Sequence, residues 1–76
     1  MTAKEMFEEL GMELYSNNYL LFEFANDERK TYAYFDNENK SVETTYYLSD
    51  FETKEKLNLF KKAIKKFEQE LGWLDD

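Results

Sequence analysis

The sequence predicts an α+β domain of two layers: an N-terminal helix, an antiparallel meander of three to four strands and a long C-terminal helix, with both helices on one sheet face. Three observations carry this reading. Apolar residues recur at helical spacing in the first ten residues and again from Leu57 to Leu71. Between these stretches lie short runs rich in Thr, Tyr, Phe and Val, bounded by polar turns. Those turns are too short for a crossover, so consecutive strands must be antiparallel neighbours.

The 76 residues make one domain, 1–76. A chain of that length buries only about 60% of its unfolded surface, so its core has to be efficient. Seven Phe, six Tyr and one Trp meet that need, because each buried aromatic removes roughly 150–250 Å² from water.

The first helix is signalled at both ends. Thr2 and Glu5 have capping-box spacing, and Met1 and Met6 stand where a hydrophobic staple would form. Ala3, Met6, Phe7 and Leu10 supply the apolar stripe, and Gly11 supplies a left-handed stop that could fold Met12 back on Phe7. Met12–Ser16 reads as a short strand or a turn, and Asn17-Asn18 as a turn. Tyr19–Ala25, Thr31–Phe35 and Ser41–Leu48 read as strands, joined by polar turns at 26–30 and 36–40.

The last helix has a capping-box signal at Ser49 and Glu52. Leu57, Phe60, Ile64, Phe67 and Leu71, with Ala63, form its buried stripe. Gly72 ends it and places Trp73 to fold back on Phe67. Phe22, Phe35, Phe60, Ile64 and Phe67 are therefore the expected core.

Strand pairing then separates the sheet faces. Turn geometry sets Phe35 opposite Val42, Ala33 opposite Thr44, Phe24 opposite Ala33 and Phe22 opposite Phe35. One face carries Leu20, Phe22, Phe24, Ala33, Phe35, Val42 and Tyr46 and should meet the helices. The other carries Leu21, Glu23, Tyr32, Tyr34, Glu43, Thr45 and Tyr47. A slip of one residue would exchange the two sets.

Several chemistries are disfavoured by composition. There is no Cys and no His, which removes thiolate zinc sites and the usual base for a hydroxyl nucleophile. The sequence therefore argues against an enzyme, and no catalytic residue, cofactor or metal is expected. Asp36-Asn37-Glu38-Asn39-Lys40 resembles the start of a calcium loop, but Lys40, Ser41 and Tyr47 stand where a ligand, a glycine and a glutamate are needed. It reads as a hairpin turn. No apolar run is long enough to cross a bilayer, and the amphipathic, acidic start is unlike a signal peptide, so a cytoplasmic location is expected.

The net charge of −7 resides in residues 1–50, which hold eleven acids and four bases. That balance argues against direct nucleic-acid binding, which depends on neutralising phosphates. Lys61, Lys62, Lys65 and Lys66 lie toward the end of the last helix, where cations complement the helix dipole.

Two binding readings follow. In the first, Leu21, Tyr32, Tyr34 and Tyr47, rimmed by Glu23 and Glu43, form a patch for an unidentified protein partner, since Tyr is enriched at interfaces. A monomer is favoured over a homodimer. In the second, Asp27, Glu28, Asp36, Glu38 and Glu43 imitate nucleic acid and inhibit a host or defence nuclease.

Thr2–Gly11, the Tyr-rich middle with Phe35-Asp36, and Glu70-Leu71-Gly72-Trp73 resemble segments of small uncharacterised proteins of phages and mobile elements of low-GC bacteria. The resemblance spans the chain and implies no activity.

Overall fold

The structure is a computed structural model that describes residues 1–16, 19–24 and 28–73. Its elements are α1 (Ala3–Glu9), β1 (Met12–Ser16), β2 (Leu20–Phe24), β3 (Tyr32–Asp36), β4 (Ser41–Thr45), a 3₁₀ turn (Leu48–Asp50) and α2 (Lys54–Glu70). The four strands form one antiparallel sheet in the order β1-β2-β3-β4. The α+β meander is as the sequence predicts, and Met12–Ser16 forms a strand, β1, which brings the number of strands to four. The expected turn at Asn17-Asn18 and the part of the next turn at Asn26 and Asp27 lie outside the described residues, as does Ala25.

Helix α1 begins with the anticipated capping box. Thr2 Oγ1 accepts from the Glu5 N–H at 3.2 Å, and Glu5 Oε1 accepts from the Thr2 N–H at 2.8 Å. The backbone hydrogen bond from Thr2, followed by the Thr2 side chain, holds the Glu5 carboxyl below its ordinary pKa. The staple is not evident, because Met1 is 70% exposed. Gly11, at φ +90°, turns the chain out of the helix and into β1.

Both helices cover the same sheet face. Phe7 of α1 stacks on Phe22 of β2 with ring centroids 4.0 Å apart. Phe67 of α2 packs edge-on against Phe22 at 5.2 Å and against Phe35 of β3 at 4.6 Å. Phe7, Phe22, Phe35 and Phe60 are completely buried. Ile64 and Phe67, expected in the core, are half-buried and pack against it. Phe51 and Leu59 were not anticipated there. Phe51 comes just before α2, and its ring lies 6.1 Å from Phe24 and 5.3 Å from Phe60. Gly72, at φ +78°, ends α2 as expected: the Gly72 N–H donates to the Gln69 carbonyl and the Trp73 N–H to the Glu68 carbonyl, each at 3.0 Å. This turns Trp73 back so that its ring lies 6.1 Å from Phe35 and its indole N–H donates to Asn37 Oδ1 at 3.3 Å.

Pairing between β3 and β4 follows prediction, with Phe35 opposite Val42 and Ala33 opposite Thr44. Pairing between β2 and β3 is displaced by two residues. Phe22 faces Ala33 and Leu20 faces Phe35, while Phe24 faces Met12 of β1. The link from β2 to β3 is longer than a tight turn. An even displacement leaves the side chains of β2 and β3 on their predicted sides of the sheet.

The largest corrections concern the segment before α2. Strand β4 ends at Thr45 instead of Leu48, and α2 is capped by Thr53, whose Oγ1 accepts from the Lys56 N–H at 3.2 Å, instead of by Ser49. Both changes follow from Asp50. Its Oδ2 accepts from the Lys30 N–H at 3.1 Å, the Thr31 N–H at 2.9 Å and the Thr31 hydroxyl at 2.7 Å. The Thr31 hydroxyl oxygen in turn accepts from the Tyr47 N–H at 3.0 Å. This latch draws the chain off the sheet edge after Thr45 and into the 3₁₀ turn. Tyr46, expected on the core face, is 43% exposed, with its ring 6.4 Å from Phe60.

A second tie joins the helices. The Glu70 carboxylate near the end of α2 accepts from the Ala3 N–H, with oxygens at 3.1 and 3.3 Å. That N–H belongs to the first turn of α1 and has no partner within its own helix. Among the described residues, no helix is long and apolar enough to cross a membrane.

Two outcomes follow. Phe60→Ala should destabilise the fold by roughly 3–5 kcal/mol, read as a lower urea midpoint; an unchanged midpoint would contradict the core. The second concerns Asp50. Burial raises its pKa, but hydrogen bonds from the Thr31 side chain, the Thr31 and Lys30 backbones and the Arg29 charge outweigh burial and leave it lowered. A carboxyl lowered in the folded state stabilises above its unfolded pKa of about 3.9 and loses that contribution as pH falls through the folded value. Asp50→Ala should cost roughly 1.5–3 kcal/mol at pH 7, because the Thr31 N–H, in a residue only 1% exposed, loses its acceptor. The stability difference between wild type and Asp50→Ala should shrink below pH 4; a difference independent of pH would refute the latch.

Candidate functional site

The uncovered sheet face holds two rows of side chains fixed by strand register. Glu13, Glu23, Tyr32 and Thr45 run across the four strands in one row. Tyr15, Leu21, Tyr34 and Glu43 run across in the other. These are the alternate positions left when Met12, Leu14, Phe22, Phe24, Ala33 and Phe35 turn inward, since side chains alternate along a strand.

Tyr19, Leu21, Glu23, Tyr32, Tyr34 and Glu43 line a shallow hollow of about 330 Å³ on this face. Five of the six predicted patch residues therefore come together. Tyr19 is the one that sequence reasoning missed. Its ring lies 5.2 Å from that of Tyr34, tilted by 33°. Its position one residue before β2, two before Leu21, was the available signal, because odd-numbered residues there share the outer side. Tyr47 does not line the hollow. It lies past the end of β4, 49% exposed, where its backbone serves the Asp50–Thr31 latch.

Tyr19, Tyr32 and Tyr34 are half-buried without a helix above them, and they line the hollow together with Leu21. Glu23 stands directly opposite Tyr32, and Glu43 directly opposite Tyr34. Each central ring thus has a carboxylate beside it on a different neighbouring strand. Glu13 and Glu23 are also directly opposed, an arrangement that is unfavourable for like charges. Glu13 Oε2 accepts from the Tyr15 hydroxyl at 2.9 Å.

The acids of the second binding reading are not gathered in one place. Asp36 and Glu38 lie in the β3–β4 turn, and Glu28 lies before the opposite end of β3. Asp27 is outside the described residues. Asp36 is committed to its own turn. Its Oδ1 accepts from the Glu38 N–H at 3.0 Å and the Asn39 N–H at 3.3 Å, and its Oδ2 accepts from Asn39 Nδ2 at 2.7 Å. The Asn39 side chain, then the Asn39 backbone and the Glu38 backbone, hold this carboxyl below its usual pKa. With Lys40 at φ +52° completing the bend, the segment is the hairpin turn that the sequence predicts. Among the described residues, no group of three or more acidic side chains is placed to hold a metal ion.

Lys61, Lys62, Lys65 and Lys66 are exposed on α2, in the layer opposite the tyrosine face. Lys61 Nζ lies 5.5 Å from the centre of the Tyr46 ring. The basic stripe and the hollow therefore belong to different surfaces. No protein-family model, curated protein or solved structure matches this chain.

Proposed function

We propose that the protein is a non-enzymatic interaction module that binds another protein through the tyrosine-lined hollow of its open sheet face. The observation that carries this reading is the convergence of Tyr19, Leu21, Tyr32 and Tyr34 into one hollow with Glu23 and Glu43 beside them. An apolar, aromatic centre with a charged margin is the usual anatomy of a protein-binding patch. Tyrosine suits the role because it brings large contact area with few rotatable bonds to immobilise.

The chemistry of the hollow supports recognition over catalysis. It presents phenols and carboxylates, with no thiol or imidazole anywhere in the chain to act as nucleophile or near-neutral base. A net charge of −7 opposes close approach of two copies, so the module acts as a monomer that keeps this face for a different protein. An accessory role in a phage or mobile element accords with the resemblance of its helix ends and Tyr-rich middle.

The double substitution Tyr32→Ser with Tyr34→Ser tests the reading. It should leave the circular dichroism spectrum unchanged while abolishing association with the partner captured by the wild-type chain. Retained association in the folded double variant would place binding on another surface. Unfolding of the variant would show that these rings belong to the core.

A further inference from the structure

We propose that the occupant of the hollow is an arginine side chain carried by a basic segment of the partner. This rests on the reading of the sheet face as an interaction surface and specifies the chemistry that the surface selects.

Charge and shape together select this occupant. The two outer rows, from Glu13 to Thr45 and from Tyr15 to Glu43, contain three carboxylates and no basic residue. No ion pair among the described residues involves Glu23 or Glu43; the one present joins Lys56 to Glu52 on a different surface, at 3.2 Å. Glu13 and Glu23 face each other across the β1–β2 ladder, and a bound cation would relieve that opposition. The face is thus complementary to positive charge and lacks an internal source of it.

The layout selects the kind of cation. A carboxylate stands beside Tyr32 on β2, and another stands beside Tyr34 on β4. A cation resting on these rings has an acceptor on either side. Guanidinium is planar, stacks on aromatic faces and donates through a rigid fork to carboxylates. An ammonium is more strongly hydrated and gains less from a stacked site. A quaternary ammonium is best held in a cage of rings, whereas these rings line a shallow floor. The chain already stacks a guanidinium on an aromatic ring: Arg29 Cζ lies 4.6 Å from the centre of Phe24. That Arg is the only one in the sequence, so a second copy cannot supply the occupant without giving up this contact.

The test is an NMR titration of the full chain with three blocked tripeptides, Gly-Arg-Gly, Gly-Lys-Gly and the neutral Gly-citrulline-Gly. The arginine peptide should shift the ring and amide signals of Tyr19, Tyr32 and Tyr34 saturably. It should bind ~5-fold or more tightly than the lysine peptide, reflecting the forked, stacked geometry. The citrulline peptide should leave these signals in place. Glu23→Gln with Glu43→Gln, at exposed or half-buried positions outside the core, should weaken the arginine peptide ~10-fold while the spectrum stays dispersed. Equal binding by citrulline would overturn the charge argument and leave the hollow standing as a neutral interaction surface. Equal binding by lysine would overturn the choice of guanidinium. Shifts of the tyrosine signals with protein concentration alone would identify a second copy as occupant and overturn the proposal. If no peptide moves these signals while the Tyr32→Ser with Tyr34→Ser variant still loses its partner, the arginine assignment fails and the interaction face survives. If the variant also keeps its partner, both fail.

Discussion

The stacking of Phe7 on Phe22, with ring centroids 4.0 Å apart, is the contact on which the rest of the structure depends. Helix α1 has only seven residues, too few to persist alone in water. It holds its form because its apolar stripe is buried on the same sheet face that α2 covers. Phe67 and Phe60 then complete the aromatic layer, with Phe60 at 6.2 Å from Phe7 and Phe67 at 5.2 Å from Phe22. With both helices committed to that side, no helix among the described residues covers the other. The open tyrosine face is a consequence of how the core is built.

Polar contacts then decide where the elements stop. The Asp50 carboxylate gathers the Lys30 and Thr31 backbone donors and the Thr31 hydroxyl, and the same hydroxyl holds the Tyr47 N–H. One buried threonine and one aspartate thereby shorten β4, create the 3₁₀ turn and bring Phe51 into the core. Glu70 does a comparable service by accepting the free Ala3 N–H. Neither contact adds much hydrophobic area. Both satisfy backbone groups that would be expensive to leave unpaired.

The fold was legible wherever a local rule matched a tertiary need. The capping box at Thr2 and Glu5, the stripe of α2 and the hairpin turn at Asp36 each rest on residues close in sequence, and each is present. The hollow was mostly legible too, because alternation alone places Leu21, Glu23, Tyr32, Tyr34 and Glu43 on one side, and the displacement of the β2–β3 pairing was even. What failed depended on distant partners. Ser49 and Glu52 have the spacing of a cap, but Asp50 is held by Thr31, nineteen positions away in sequence, and the helix starts later. Tyr47 continued the alternation of β4 on paper, yet the same latch ends the strand before reaching it. Periodicity carries no information about such long-range hydrogen bonds.

The two faces of the one sheet have opposite fates, one sealed by two helices and one open. Solvent paramagnetic relaxation of assigned aromatic ring protons measures this most directly. In dilute solution with a soluble paramagnetic agent, the rings of Tyr19, Tyr32 and Tyr34 should relax much faster than those of Phe7, Phe22, Phe35 and Phe60. Equal protection of the tyrosine rings, or exposure of Phe22 and Phe35, would contradict the account.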